Sequence, residues 1–231
     1  MQLPSEVPVM TLPNATLFPQ AMLPLYVFEP RYRKMLADAL HSHRMFIVAM
    51  QKPGRIRETP SAVAGLGLIR ASVSNRDGTS HLILQGLARV ELTKTVRYKP
   101  YRIQRIRPLT TTGRDSVAVD ALAAKVLELV AERLEQGLEL PVHVLNQLRQ
   151  IEDDQEDGTS PVFSLKQVIK YLVRLQDPDQ LADLVSCTLL PRPLDRQTIL
   201  ESVNLENRLK HLVHFLLAEI RRHKRKDSPE P

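Results

Sequence analysis

The stretch GLGLIRASVSNRDGTSHLILQGLARVEL, Gly65–Leu92, decides the fold. Two runs rich in aliphatic and β-branched residues flank Ser74-Asn75-Arg76-Asp77-Gly78-Thr79. Asp77-Gly78 between apolar runs signals a hairpin, because glycine supplies the positive φ that a tight turn needs. The runs extend outward to Ala62–Val73 and Ser80–Val96, so two long antiparallel strands are predicted. Gly65, Gly67 and Gly86 fall inside them, where glycines mark bulges or tight bends of small barrels. Beyond them, Val96–Leu109 starts as an alternation and is interrupted by Pro100. It reads as an irregular edge strand.

Toward the N-terminus, LFPQAMLPLYVFEPRYRKML (Leu17–Leu36) is strongly apolar yet cut by Pro19, Pro24 and Pro30. Pro19 and Pro24 suit strand ends or edges. Pro30 suits the first turn of a helix, where its missing N–H is no loss. From there Tyr32, Met35, Leu36, Ala39 and Leu40 form an i, i+3, i+4 stripe, with Arg31, Arg33, Lys34 and Asp38 off it.

The second half has the helical period. Asp115 or Ser116 caps a helix bearing Val119, Leu122, Ala123, Val126, Leu127, Val130 and Leu134, with Gly137 as its C′ residue. A second helix is predicted near Pro141–Gln150, then an acidic loop, Glu152–Pro161. A third spans Leu165–Leu175 and stops at Asp177-Pro178; Pro178 opens a fourth. Asp195 is read as the cap of a short fifth. Asn204 caps the longest, striped by Leu205, Leu209, Leu212, Val213, Leu216 and Ile220. The fold class expected is α+β, with a barrel over 1–110, a helical bundle over 111–226 and a polar tail over 227–231.

Composition agrees with a folded core: of 231 residues, 43% are apolar and 25% charged, with seventeen prolines against eight glycines. Charge is unevenly spread. Residues 1–110 carry sixteen Lys and Arg against six Asp and Glu, a net of +10, whereas the rest nets −4. Two units with different partners are expected. The lone Cys187 excludes an intrachain disulfide and fits a reducing compartment. No secretory pattern and no run of about 18 uninterrupted apolar residues occurs, so a cytoplasmic protein without a membrane span is expected.

Several chemistries lack their residues. None of the eight glycines precedes lysine, so there is no P-loop; neither G-x-S-x-G nor G-x-G-x-x-G occurs. His41 and His43 at i, i+2 do not share a helix face, and His211 and His214 read as ordinary half-exposed histidines. Ser164 reads as a helix cap rather than a nucleophile paired with Lys166. Glu152–Asp157 read as a solvated run, and Cys187 as a core residue. No catalytic, cofactor or metal residues are therefore expected. Arg97, Lys99, Arg102, Arg105 and Arg107 interleave with Tyr98 and Tyr101 and raise single-stranded nucleic acid as a partner. A charged strand guarded against edge pairing carries more weight.

Three blocks, in order, resemble one family. Met10–Leu40 is similar to the opening of the LON domain, the N-terminal substrate-binding domain of Lon proteases. Gly65–Leu92 resembles that domain's glycine-bearing strand, hairpin and G-x-x-R strand, and Asp177–Ile220 the helices after its barrel. VFEPRYR looks like the form found in stand-alone LON-domain proteins of bacteria. The resemblance implies a PUA-like β-barrel followed by a helical bundle. It implies a non-catalytic module that binds polypeptide segments or client proteins in protein quality control, with a separate protease as a further partner. The AAA+ ATPase and Ser–Lys peptidase modules of full Lon proteases have no counterpart in these blocks, and no peptidase activity is expected. Phe18, Met22, Tyr26 and Phe46 are the first candidates for a peptide-binding surface, although core burial is the heavier reading for Phe18 and Phe46. RNA binding through residues 97–107 and pairing of the last helix with another chain are the alternatives.

Overall fold

A computed structural model describes residues 3–136 and 171–227, with side chains through residue 224. The expectations for Gly137, Pro141–Gln150, Glu152–Pro161, Ser164 and Lys166 lie outside the described residues, as do the first residues of Leu165–Leu175. The chain divides into two units, Met1–Thr110 and Thr111–Pro231.

The first unit contains β1 (Glu6–Leu12), β2 (Met22–Val27), α1 (Pro30–Leu40), β3 (Met45–Met50), β4 (Val63–Ser74), β5 (Ser80–Arg97) and β6 (Arg102–Pro108). The strand order is β2-β5-β4-β3-β1-β6, and β6 also pairs with β5. The ring β5-β4-β3-β1-β6 therefore closes, which removes its edges. Closure depends on the length of β5. Its first part, Ser80–Gln85, pairs with β2, while Val90–Arg97 pairs with β6. Register shifts at Leu66/Gly67 and Ile69/Ala71 on β4, and at Leu92/Lys94 and Thr95/Arg97 on β5, supply the bending that closure needs. The β1–β3 pair is parallel. Its crossover carries β2 and α1, as parallel strands require a long connection.

The Asp77-Gly78 turn forms as the sequence predicts. Gly78 has φ +80°, Asn75 N–H donates to Thr79 O, and the Asp77 carboxylate accepts from the Thr79 amide at 2.9 Å and its hydroxyl at 2.7 Å. Residues 96–109 differ from expectation. They are not one edge strand: β5 ends at Arg97, Tyr98–Tyr101 turn the chain, and β6 is paired on both sides, by β1 and β5. The alternation of an exposed edge looks the same in sequence as that of a closing strand, and only long-range pairing separates them.

Two apolar clusters share β3, which is buried throughout. Val7, Val9, Met45, Ile47, Ala49, Ala64, Leu66, Val90 and Ile106 come from all five ring strands and fill the barrel. Phe46 and Val48, on the opposite face of β3, join Leu82, Leu84 and the α1 stripe Tyr32, Met35, Leu36 and Ala39. Leu17 packs on this second side, and the main chain of Leu17–Phe18 crosses the sheet there. At Gly65 and Gly86 a Cβ would collide with the carbonyl oxygens of Leu17 and Phe18. Gln20 N–H donates to Gly86 O at 2.8 Å, and Gly86 N–H to Ala21 O at 2.9 Å. These glycines admit a crossing segment as well as a bulge.

The second unit contains α2 (Val117–Glu135), a helical stretch at 171–174, α3 (Pro178–Leu189), α4 (Pro193–Glu201) and α5 (Leu205–Asp227). Ser116 Oγ accepts from Ala118 N–H and caps α2, Asp177 caps α3, and Asn204 Oδ1 accepts from Asn207 N–H at the start of α5. Asp195 is not a cap. It lies in the first turn of α4, whose N-cap is Arg192, because Pro193 takes the first helical position. α2 packs along α5, with α3 against both. Leu205, Leu209, Leu212, Leu216 and Ile220 are buried. Arg208 is fully buried beside them. It pairs with Asp179 and with Asp183 at 3.5 Å, and its Nε donates to Ser202 O at 2.8 Å. Asp179 also accepts from Arg114 Nη2 at 2.5 Å. Among the described residues no helix is long and apolar enough to cross a membrane.

Candidate binding surface

The outer end of the β2–β5–β4 sheet is unusually apolar for a solvent face. Period-2 alternation directs Leu82 and Leu84 of β5 into the core and His81 and Ile83 outward. On β2, Pro24 and Tyr26 are exposed while Val27 is buried. Register brings the outward residues into rows: Tyr26 beside His81 beside Val73, and Pro24 beside Ile83 beside Ala71. Tyr26 is 50% exposed, Ile83 43% and Val73 66%. The Tyr26 ring lies 4.8 Å from His81 and 5.9 Å from Phe28, itself exposed just beyond the strand. Pro24, Tyr26, Ala71, Val73, His81 and Ile83 line an open groove of about 420 Å³. β2 ends the strand order, so its outer edge carries no partner strand among the described residues, and Pro24 removes one of its N–H groups.

The four peptide-binding candidates separate here. Tyr26 lies in the groove, and Met22, half-buried, begins the same strand. Phe18 and Phe46 do not belong to a surface. Both are wholly buried, Phe18 where the chain crosses Gly86 and Phe46 on β3 against α1, and this corrects their candidacy. Sequence reading missed Val73, His81 and Ile83. An outward Ile83 in an otherwise clean alternation was the available signal, but its neighbours are set by register.

The basic candidates do not form one stripe. Arg105 pairs with Glu6 at 2.9 Å and Arg107 with Glu91 at 2.5 Å, each on a neighbouring strand. Arg97 stacks over Tyr101 at 5.1 Å and Arg102 over Tyr98 at 5.0 Å, around the turn that holds Lys99. Tyr101 Oη donates to Asp38 at 2.8 Å; burial, then this bond, raises its pKa.

Three of the histidines have close partners among the described residues. His41 Nδ1 meets Ala37 O at 2.7 Å, and His43 Nδ1 accepts from Met45 N–H at 3.1 Å, with burial pulling the His43 pKa down. His211 Nδ1 meets Ser202 Oγ at 3.1 Å. Burial pushes the Cys187 thiol up to about 12, which favours its protonated form. No cluster of metal-ligating side chains occurs among the described residues.

Fold and surface together define an α+β module, a closed barrel followed by helices, that presents an apolar sheet face. Residues 6–218 match the family model described as the ATP-dependent protease La (LON) substrate-binding domain, and the chain belongs to that family. It is 24% identical over 221 residues to a Lon protease of Dictyoglomus thermophilum, covering 94% of this chain and 25% of the relative. It is 26% identical to Lon protease 2 of Herpetosiphon aurantiacus, covering 93% and 24%. The chain thus spans about a quarter of the length of these curated relatives. The N-terminal domain of Mycobacterium avium complex Lon protease shares the fold, with a TM-score of 0.65 at 17% identity over 92% of this chain and 98% of that one. A Lon N-terminal domain protein from Xanthomonas campestris gives 0.57 at 19% identity over 91% and 98%.

Proposed function

We propose that this protein recognises exposed apolar polypeptide segments through the outer face of β2, β5 and β4, serving protein quality control in the cytoplasm without peptidase or ATPase chemistry of its own. The observation that carries the reading is the groove itself. Tyr26, Val73 and Ile83 leave apolar surface in water beside an unpartnered strand edge, an arrangement suited to an extended chain. Membership of a substrate-binding family supports the same reading. A separate protease is the partner to which a captured client would pass.

The test is fluorescence anisotropy with a labelled apolar peptide. Replacing Met22 and Tyr26 together by Ala is expected to weaken binding about tenfold, the equivalent of roughly 1.4 kcal/mol. Unchanged binding by a folded double variant overturns this placement. Purified protein given ATP and magnesium is expected to leave casein and fluorogenic peptides intact. Cleavage that survives removal of contaminants overturns the non-catalytic reading.

RNA binding has weaker support, since Arg105 and Arg107 are already paired with carboxylates. The stripe of α5 is buried within its own unit, which argues against its use as a coiled-coil seam.

A further inference from the structure

Apart from the apolar groove, the barrel unit holds a small polar cavity of about 130 Å³, lined by Arg31, Glu58, Tyr98, Pro100, Tyr101 and Arg102 among others. Glu58 joins its two guanidinium groups: the carboxylate accepts from Arg31 Nη1 at 2.5 Å, and the main-chain oxygen from Arg102 Nη2 at 3.0 Å. Arg31 is further held by Glu29 at 2.9 Å. Arg102 is not satisfied to the same degree. Its plane lies over Tyr98, and its Nε is buried with no hydrogen-bond partner among the described residues. A desolvated N–H on a cation is costly to leave unmatched. The site is therefore short of one acceptor. Both carboxylates, Glu29 and Glu58, are engaged by Arg31, whereas Arg102 has no carboxylate partner among the described residues, and Arg97 stands over Tyr101 nearby.

Size and geometry narrow what could supply that acceptor. The volume falls below the roughly 300–1,000 Å³ of pockets that enclose whole small molecules. It admits a carboxylate on a short stem but no stacked base. A guanidinium presents a planar fork that matches a carboxylate. The Tyr101 hydroxyl is already committed to Asp38, so the free donor is that of Arg102.

We propose that this cavity receives a carboxylate of the bound polypeptide, either an acidic side chain or the C-terminal carboxylate, with Arg102 as its donor. The inference rests on the polypeptide-binding reading and adds a chemical preference to it: apolar segments carrying a nearby carboxylate are favoured. Glu58 then acts as the resident competitor, its negative charge tempering the attraction.

The test uses the full chain and three labelled versions of one apolar peptide. One is neutral and C-terminally amidated, one carries an aspartate and is amidated, and one is neutral with a free C-terminus. A carboxylate-bearing form is expected to bind about tenfold more tightly than the neutral form at low salt. Whether the aspartate or the free terminus gives the gain identifies the source. Arg102→Gln is expected to erase the gain, so that the three forms bind that variant with one affinity, and Glu58→Gln to enlarge it. Equal binding of all three forms overturns the proposal. So does a gain that survives Arg102→Gln, or an Arg102-dependent affinity for single-stranded RNA with none for the carboxylate peptides. Failure of every peptide to bind, the neutral one included, strikes the polypeptide-binding reading itself.

Discussion

Gly86 and Gly65 show what a single missing methyl group permits. Each lies where the main chain of Leu17–Phe18 crosses the sheet, and a Cβ at either would meet a backbone carbonyl that cannot rotate away. Gly86→Ala is expected to destabilise the protein by about 2–3 kcal/mol in urea denaturation, as overpacking does when no flexible side chain can yield. Gly54→Ala is the control. Its φ is +69° but nothing lies within 4 Å, so only the backbone penalty of about 1 kcal/mol is expected. His43 gives a pH signature. Burial holds its pKa below the ordinary 6.5, so the folded state binds its proton less readily than the unfolded chain. Its contribution is fully present above pH 6.5 and is lost as pH falls through the lower, folded value. His43→Asn retains an acceptor for Met45 N–H, and is expected to shrink the fall in urea midpoint between pH 7 and pH 5 relative to the wild type.

At the scale of elements, β5 and α5 organise their units. One strand serves two partners in turn, and the part that pairs with β2 carries the outward His81 and Ile83. Because Val73 and Ile83 are exposed, replacing both by Ser is expected to change stability by less than about 1 kcal/mol, within the range of surface substitutions. Peptide affinity, read by anisotropy, should fall all the same. That combination separates a binding face from a structural one. In the second unit Arg208 ties α5 to α3 through Asp179 and Asp183, inside the packed bundle. Arg208→Ala leaves two buried carboxylates without their shared cation. It is expected to cost about 3–5 kcal/mol, measured by thermal or urea unfolding.

Across the whole molecule, each unit has its own buried core. Distant sites without shared partners behave additively. Hydrogen exchange should therefore show the loss of protection from Gly86→Ala in residues 3–110 and that from Arg208→Ala in residues 111–136 and 171–227. Spread of either loss across both units would show that they unfold as one. The strong positive charge of the first unit belongs to this scale too, since it biases encounters toward acidic segments, as the Arg102 cavity does at close range.

Much of this was legible in the residues themselves. The Asp77-Gly78 hairpin, the Pro30 helix with its Tyr32, Met35 and Leu36 stripe, the Ser116 and Asn204 caps and the α5 stripe are local. Each rests on a dihedral preference or a period that neighbouring residues determine, and the sequence carries such information directly. Barrel closure by β6, the burial of Phe18 and Phe46, the row joining Tyr26, His81 and Val73, and the meeting of Arg31, Glu58 and Arg102 were decided only by tertiary structure. They depend on register and chain crossing between segments up to 99 residues apart in the chain, as in the Glu6–Arg105 pairing, where the free energy comes from long-range pairing and burial rather than from any local preference.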